Sequence, residues 1–127
     1  MNGVKFLLDT NIVIGLLNRG ETVIALLTQK QVAITQCAFS AITRMELLSY
    51  HGLKPVDRQT IESLLARMNY LPITSAIEDA TIAFRRKNKG KLPDAIIAAT
   101  AGHHQLELLT LDATLAKQTG NNRAGGV

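Results

Sequence analysis

Four acids stand out in this 127-residue chain by where they fall: Asp9, Glu46, Asp94 and Asp112. Asp9 closes a short apolar run, Val4 to Leu8, that is interrupted only by Lys5, and Asp112 closes a second run that starts at Glu107. The carboxyl ends of buried strands are where open α/β sheets bind ligands. Glu46 and Asp94 lie on segments with helical patterning, and Asp94 shares a face with Ile97, Ala98 and Ala101, where a carboxylate needs a cationic partner. Taken singly, Asp9 serves equally well as a helix N-cap and Glu46 as a solvated flank residue. Brought to one sheet edge, the four would repel one another unless a cation neutralised them. An all-oxygen donor set selects Mg²⁺ or Mn²⁺, whereas zinc wants the cysteines and paired histidines that are missing here. Cys37 is the single cysteine and reads as a core residue, and His103 and His104 read as the last turn of a helix.

The second chemical signal is basic. Arg85, Arg86, Lys87, Lys89 and Lys91 place five positive charges in seven residues just ahead of Asp94, a candidate grip for phosphates beside the acids. Fourteen Lys and Arg against ten Asp and Glu give a net charge of +4, which suits a polyanionic partner. A lone cysteine favours a reducing cytoplasm. The longest apolar run, near Ile12 to Leu17, is far shorter than the roughly 18 residues that suggest a membrane span, and no secretory signal is evident.

Positioning these residues requires a single domain, with residues 1–118 folded and 119–127 a flexible Gly- and Asn-rich tail. The pattern predicts strands at 4–8, 32–35, 70–73 and 107–111. Helices are expected at 10–17 and 21–30, then from an N-cap at Ser40 to about Tyr50, with Ile42, Met45, Leu48 and Ser49 turned inward. Asp57 should cap the next helix, which buries Ile61, Leu64, Leu65 and Met68. Ser75 and Glu78 have capping-box spacing ahead of Ile77, Ala80 and Phe84. Pro93 suits the first turn of an apolar, small-residue helix over 95–102. Strands alternating with helices call for an α/β fold, a parallel sheet covered on both faces.

Four stretches also carry a resemblance: Leu7-Leu8-Asp9-Thr10-Asn11, Ser40-Ala41-Ile42-Thr43-Arg44-Met45-Glu46-Leu47, Leu92-Pro93-Asp94 through Ala101, and Leu109-Thr110-Leu111-Asp112. In order and spacing they resemble the motifs of the PIN domain family, with VapC-type toxins of toxin–antitoxin pairs as the nearest subgroup. The resemblance implies a three-layer α/β/α sandwich with four or five parallel strands and a metal-dependent endoribonuclease using Mg²⁺ or Mn²⁺. It makes Asp9, Glu46, Asp94 and Asp112 the catalytic metal ligands, supported by Asn11, Ser40, Thr43 and Thr110. It further implies an RNA substrate, a VapB-like antitoxin and a homodimer. Past Asp112 the chain departs from the family pattern, since Ala113 to Lys117 leads into the Gly-rich tail instead of an aromatic residue and a last strand. Two other readings are an inactive PIN-like binding module and an Asp-based phosphohydrolase with Asp9 as nucleophile; for the latter, Asn11 stands where a second aspartate is wanted.

Overall fold

The computed structural model describes residues 3–120; of the tail expected at 119–127, Thr119 and Gly120 bond back to the last helix through their N–H groups, and 121–127 lie outside the described residues. Four strands form one parallel sheet: β1 (Phe6–Leu8), β2 (Cys37–Ser40), β3 (Asn69–Leu71) and β4 (Glu107–Leu109), in the order β3-β2-β1-β4. In register, Phe6 stands opposite both Cys37 and Glu107, and Ala38 stands opposite Asn69. Side chains alternate between the two faces, so one sheet feeds two cores. Leu8, Cys37, Phe39 and Leu109 pack beneath α1 (Thr10–Leu17), α3 (Ala41–Leu48) and α4 (Pro55–Leu65), which contribute Ile12, Leu47 and Ile61; α2 (Glu21–Gln29) adds Val23. Leu7, Ala38, Leu71 and Leu108 pack against Ile97, Ala98 and Ala101 of α6 (Leu92–His104) and Leu115 of α7 (Ala113–Gln118). Phe84 of α5 (Ser75–Lys87) joins that second core, completing an α/β/α sandwich.

The strand expected at 32–35 is instead one 3₁₀ turn, Ile34–Gln36, and β2 begins at Cys37. The Gln36 side-chain amide oxygen accepts from the Ala33 N–H (3.1 Å), which closes the turn. All four β2 residues are buried, so no in–out alternation marks them in the sequence. Cys37 is among them, and burial pushes its thiol up to about 11, which leaves it unreactive at neutral pH. On α3 the buried face is Ala41, Thr43 and Leu47, while Met45 is exposed, which corrects the expected inward stripe. The stripe turns because Thr43, a polar residue, finds a hydroxyl partner on α1.

Helix caps shift by small steps. Thr74, not Ser75, caps α5, its hydroxyl accepting from the Ile77 N–H. Asp57 caps α4 from inside its first turn, accepting from the Lys54 N–H, with Pro55 at the first helical position. β3 stops before Pro72, which has no N–H for the ladder. β4 stops at Leu109, so Thr110 and not Asp112 stands at its carboxyl end. A short helix, α7, follows, and among the described residues the sheet has four strands. No single helix among them is long and apolar enough to cross a membrane.

The first two helices bend by 110° at the turn between them, and Gly15 is where they touch. A Cβ at this position would clash with Val23 Cγ2 and meet Val23 Cβ at 2.8 Å. Rotating the valine cannot move its own Cβ, so overpacking of roughly 1–3 kcal/mol outweighs the gain of about 1 kcal/mol in helix propensity. Gly15→Ala is therefore expected to lower the urea midpoint. A midpoint equal to or above wild type would show that α2 shifts freely.

Candidate active site

Asp9 occupies the single residue between β1 and α1, at 5% exposure. It is nominally the N-cap of α1, yet its carboxylate does not bond to the second- or third-position amides as a cap normally does. Ile12 and Val13 N–H groups donate to its backbone oxygen instead. The side chain is thereby released toward β4. Its Oδ1 accepts from the Thr10 N–H (2.8 Å) and its Oδ2 from the Thr110 hydroxyl (2.6 Å). Burial raises the Asp9 pKa; the bonds from Thr110 and Thr10 pull it back, and the charges of Asp94 and Glu46 push it up again.

Thr110 is the hub on the β4 side. While donating to Asp9, its hydroxyl accepts from Asn11 Nδ2 (3.4 Å) and from the Asp112 N–H (3.0 Å). Asn11 Oδ1 in turn accepts from the Leu111 N–H (3.2 Å), so α1 is stitched to the segment after β4. On the other side of Asp9, Thr10 Oγ1 donates to Glu46 Oε1 (2.7 Å) and lies 2.9 Å from Thr43 Oγ1. Ser40, fully buried, caps α3 through a bond from the Ile42 N–H. β2 hands directly to α3 at this residue, which fixes the direction in which Glu46 leaves the helix.

Asp94 is half-buried in the first turn of α6, and Asp112 is exposed at the start of α7, its Oδ1 accepting from the Leu115 N–H (3.1 Å). Thus the charges of Asp94 and Glu46 act on Asp9, while that of Asp112 is not among them. Asp112 shares a cavity of about 200 Å³ with Asp94, Arg85, Lys89 and Lys91. Arg86 and Lys87 do not line it. Two bonds brace the loop that carries these bases: Arg85 Nη2 donates to the Gly90 carbonyl (3.5 Å) and Gln118 Nε2 to the Lys89 carbonyl (3.2 Å). The roles of Thr10 and Gln118 escape the sequence reading, which names neither as a site residue.

Among the described residues no three His, Cys, Asp or Glu side chains already close around one point as an ion's ligands. The donor set nevertheless fits a hard cation. It consists of carboxylates and hydroxyls, and the charges of Asp94 and Glu46 already disfavour ionisation of Asp9.

A small parallel α/β sandwich with an acid at the carboxyl edge of its central strand defines the class. The PIN domain model matches residues 6–121, and the chain belongs to the PIN domain family. Among solved structures it is similar to a toxin–antitoxin complex from Klebsiella pneumoniae, with 36% identity, a TM-score of 0.73, and 85% of this chain and 87% of that chain covered. It is similar also to FitAcB from Neisseria gonorrhoeae at 25% identity and TM-score 0.68, covering 90% and 92% of the two chains. VapBC2 from Rickettsia felis, bound to a DNA fragment from their promoter, shares the fold at 17% identity and TM-score 0.71, again over 90% and 92%. No curated protein matches the chain.

Proposed function

We propose that this PIN domain is the nuclease toxin of a toxin–antitoxin pair, a VapC-like endoribonuclease that depends on Mg²⁺ or Mn²⁺. The observation that carries the reading is the buried Asp9 carboxylate, oriented by Thr110 and crowded by Asp94 and Glu46. Asp9, Asp94 and Glu46 would hold the ion, with Asp112 approaching from the neighbouring cavity. When bound, a divalent cation lowers the pKa of a coordinated water and offsets the charge that builds on the phosphate. Glu46 orients the attacking water through its free oxygen. Asn11, Ser40, Thr43 and Thr110 hold the acids in place. Arg85, Lys89 and Lys91 grip backbone phosphates beside the scissile bond, with Arg86 and Lys87 adding to the field. With water as the nucleophile and the ribose 3′-oxygen as the leaving group, the products carry a 5′-phosphate and a 3′-hydroxyl.

The antitoxin is supported by the similarity to the Klebsiella complex, and a homodimer belongs to the same reading. Incubating the purified protein with structured RNA and sequencing the 5′ ends is the direct test. RNA left intact in Mg²⁺ and in Mn²⁺ would instead favour the inactive binding module. The basic loop makes a separate prediction. Replacing Lys89 and Lys91 together by Ala should weaken RNA binding and lower the slope of log affinity against log salt by about 1.4, roughly 0.7 for each phosphate contact on a single strand. An unchanged slope in filter binding would place the phosphates elsewhere.

A further inference from the structure

We infer that Thr10 is a positioning residue, which fixes the Glu46 carboxylate through an ordered hydroxyl chain running Thr43 to Thr10 to Glu46. The value of this chain to catalysis rests on the nuclease reading, but its geometry stands apart from it. Each hydroxyl has one proton, and a carboxylate only accepts. The 2.7 Å bond from Thr10 Oγ1 to Glu46 Oε1 uses the Thr10 proton. The 2.9 Å contact between Thr10 and Thr43 must then run the other way, with Thr43 donating. Thr43 is fully buried, and its hydroxyl is satisfied by this contact. Order therefore passes from a side chain with no freedom to one that otherwise has a great deal.

Glu46 itself is exposed on the flank of α3, where a long carboxylate would rotate through solvent. Thr10 removes that freedom and leaves Oε2 unengaged among the described side chains. The same residue holds Asp9 Oδ1 through its backbone N–H. One residue thus touches two acids on different elements, and it couples the end of β1 to the flank of α3. Side chains that orient a metal-site acid in this way typically govern activity by 10- to 100-fold.

The test compares wild type with Thr10→Val, Thr43→Val, the double variant and Thr10→Ser. Melting is followed by circular dichroism without added metal, and RNA cleavage in Mn²⁺. Thr10→Val should melt about 5 °C lower because it strands the buried Thr43 hydroxyl, and adding Thr43→Val should recover most of that loss. kcat should fall about 10- to 100-fold in Thr10→Val and stay low in the double variant, with KM little changed. Thr10→Ser, which keeps the hydroxyl, should stay within about threefold of wild type. Recovery of stability without recovery of kcat separates positioning from folding. Additive melting losses would break the hydroxyl chain, and wild-type kcat in Thr10→Val would overturn the positioning role. If wild type cut no RNA, the nuclease reading would fail, and the melting cycle alone would uphold or overturn the chain.

Discussion

Asp9→Asn is expected to reduce RNA cleavage by about a thousandfold or more while leaving the fold intact. Cation stabilisation of a phosphoryl transition state is worth several kcal/mol, and each 1.36 kcal/mol is tenfold in rate. Asparagine keeps the shape of Asp9 but loses the charge that would hold the cation in the proposed site. Its effect on stability has a definite pH dependence. Burial, with the charges of Asp94 and Glu46 beside it, raises the folded-state pKa of Asp9 above 3.8 despite the bonds from Thr110 and Thr10. The folded chain then binds this proton more readily than the unfolded chain does. Its stabilising contribution is fully present below pH 3.8 and is lost as pH rises through the raised value. At pH 7 wild type carries a buried charge that the asparagine variant lacks. The melting temperature of Asp9→Asn relative to wild type should therefore be higher at pH 7 than at pH 4. A relative melting temperature that rises on acidification would contradict the raised pKa, and cleavage at the wild-type rate would remove Asp9 from the chemistry.

Chelation should be equally decisive. EDTA is expected to take cleavage to background, and excess Mn²⁺ or Mg²⁺ to restore it, because Lys and Arg cannot lower the pKa of water toward neutrality as a bound cation does. The same ions should raise the wild-type melting temperature, since ligands that bind only the folded state stabilise it by mass action. Asp94→Asn should blunt both effects. That variant loses a donor from the first turn of α6 and also relieves part of the repulsion on Asp9, so its metal-free form should melt no lower than wild type. Cleavage that persists in chelator would sink the metal mechanism outright. Full metal-induced stabilisation of Asp94→Asn would instead move the ion away from α6.

The sequence disclosed the parts whose signals are local. α1 is found over residues 10–17 as expected, because an acid and a threonine follow an apolar run and Asn18-Arg19-Gly20 breaks the helix. Asp9 and Asp94 stand out because a strand end and an inward helix face are legible from spacing, whereas Glu46, on a helix flank, stands out through the motif resemblance. Elements set by partners far along the chain were not legible. Composition puts a strand at Val32 to Thr35, five residues ahead of β2, whose position is fixed by register with β1. Met45 was turned inward because hydropathy cannot anticipate that Thr43 is buried against Thr10, 33 residues away. Asp112 was set at a strand end, but β4 closes early, with the Thr110 hydroxyl bonded to Asp9.

The bond between Asp9 and Thr110 spans 101 residues. Its consequence concerns synthesis. β1 is made well ahead of both the strand that flanks it on one side and the hydroxyl that orients its acid. While residues 47 to 93 are being added the growing chain holds Asp9 and Glu46 without Asp94 or Thr110, and such long-range pairings are late to form. On the proposed reading, the site is therefore incomplete in every nascent fragment that stops short of Thr110.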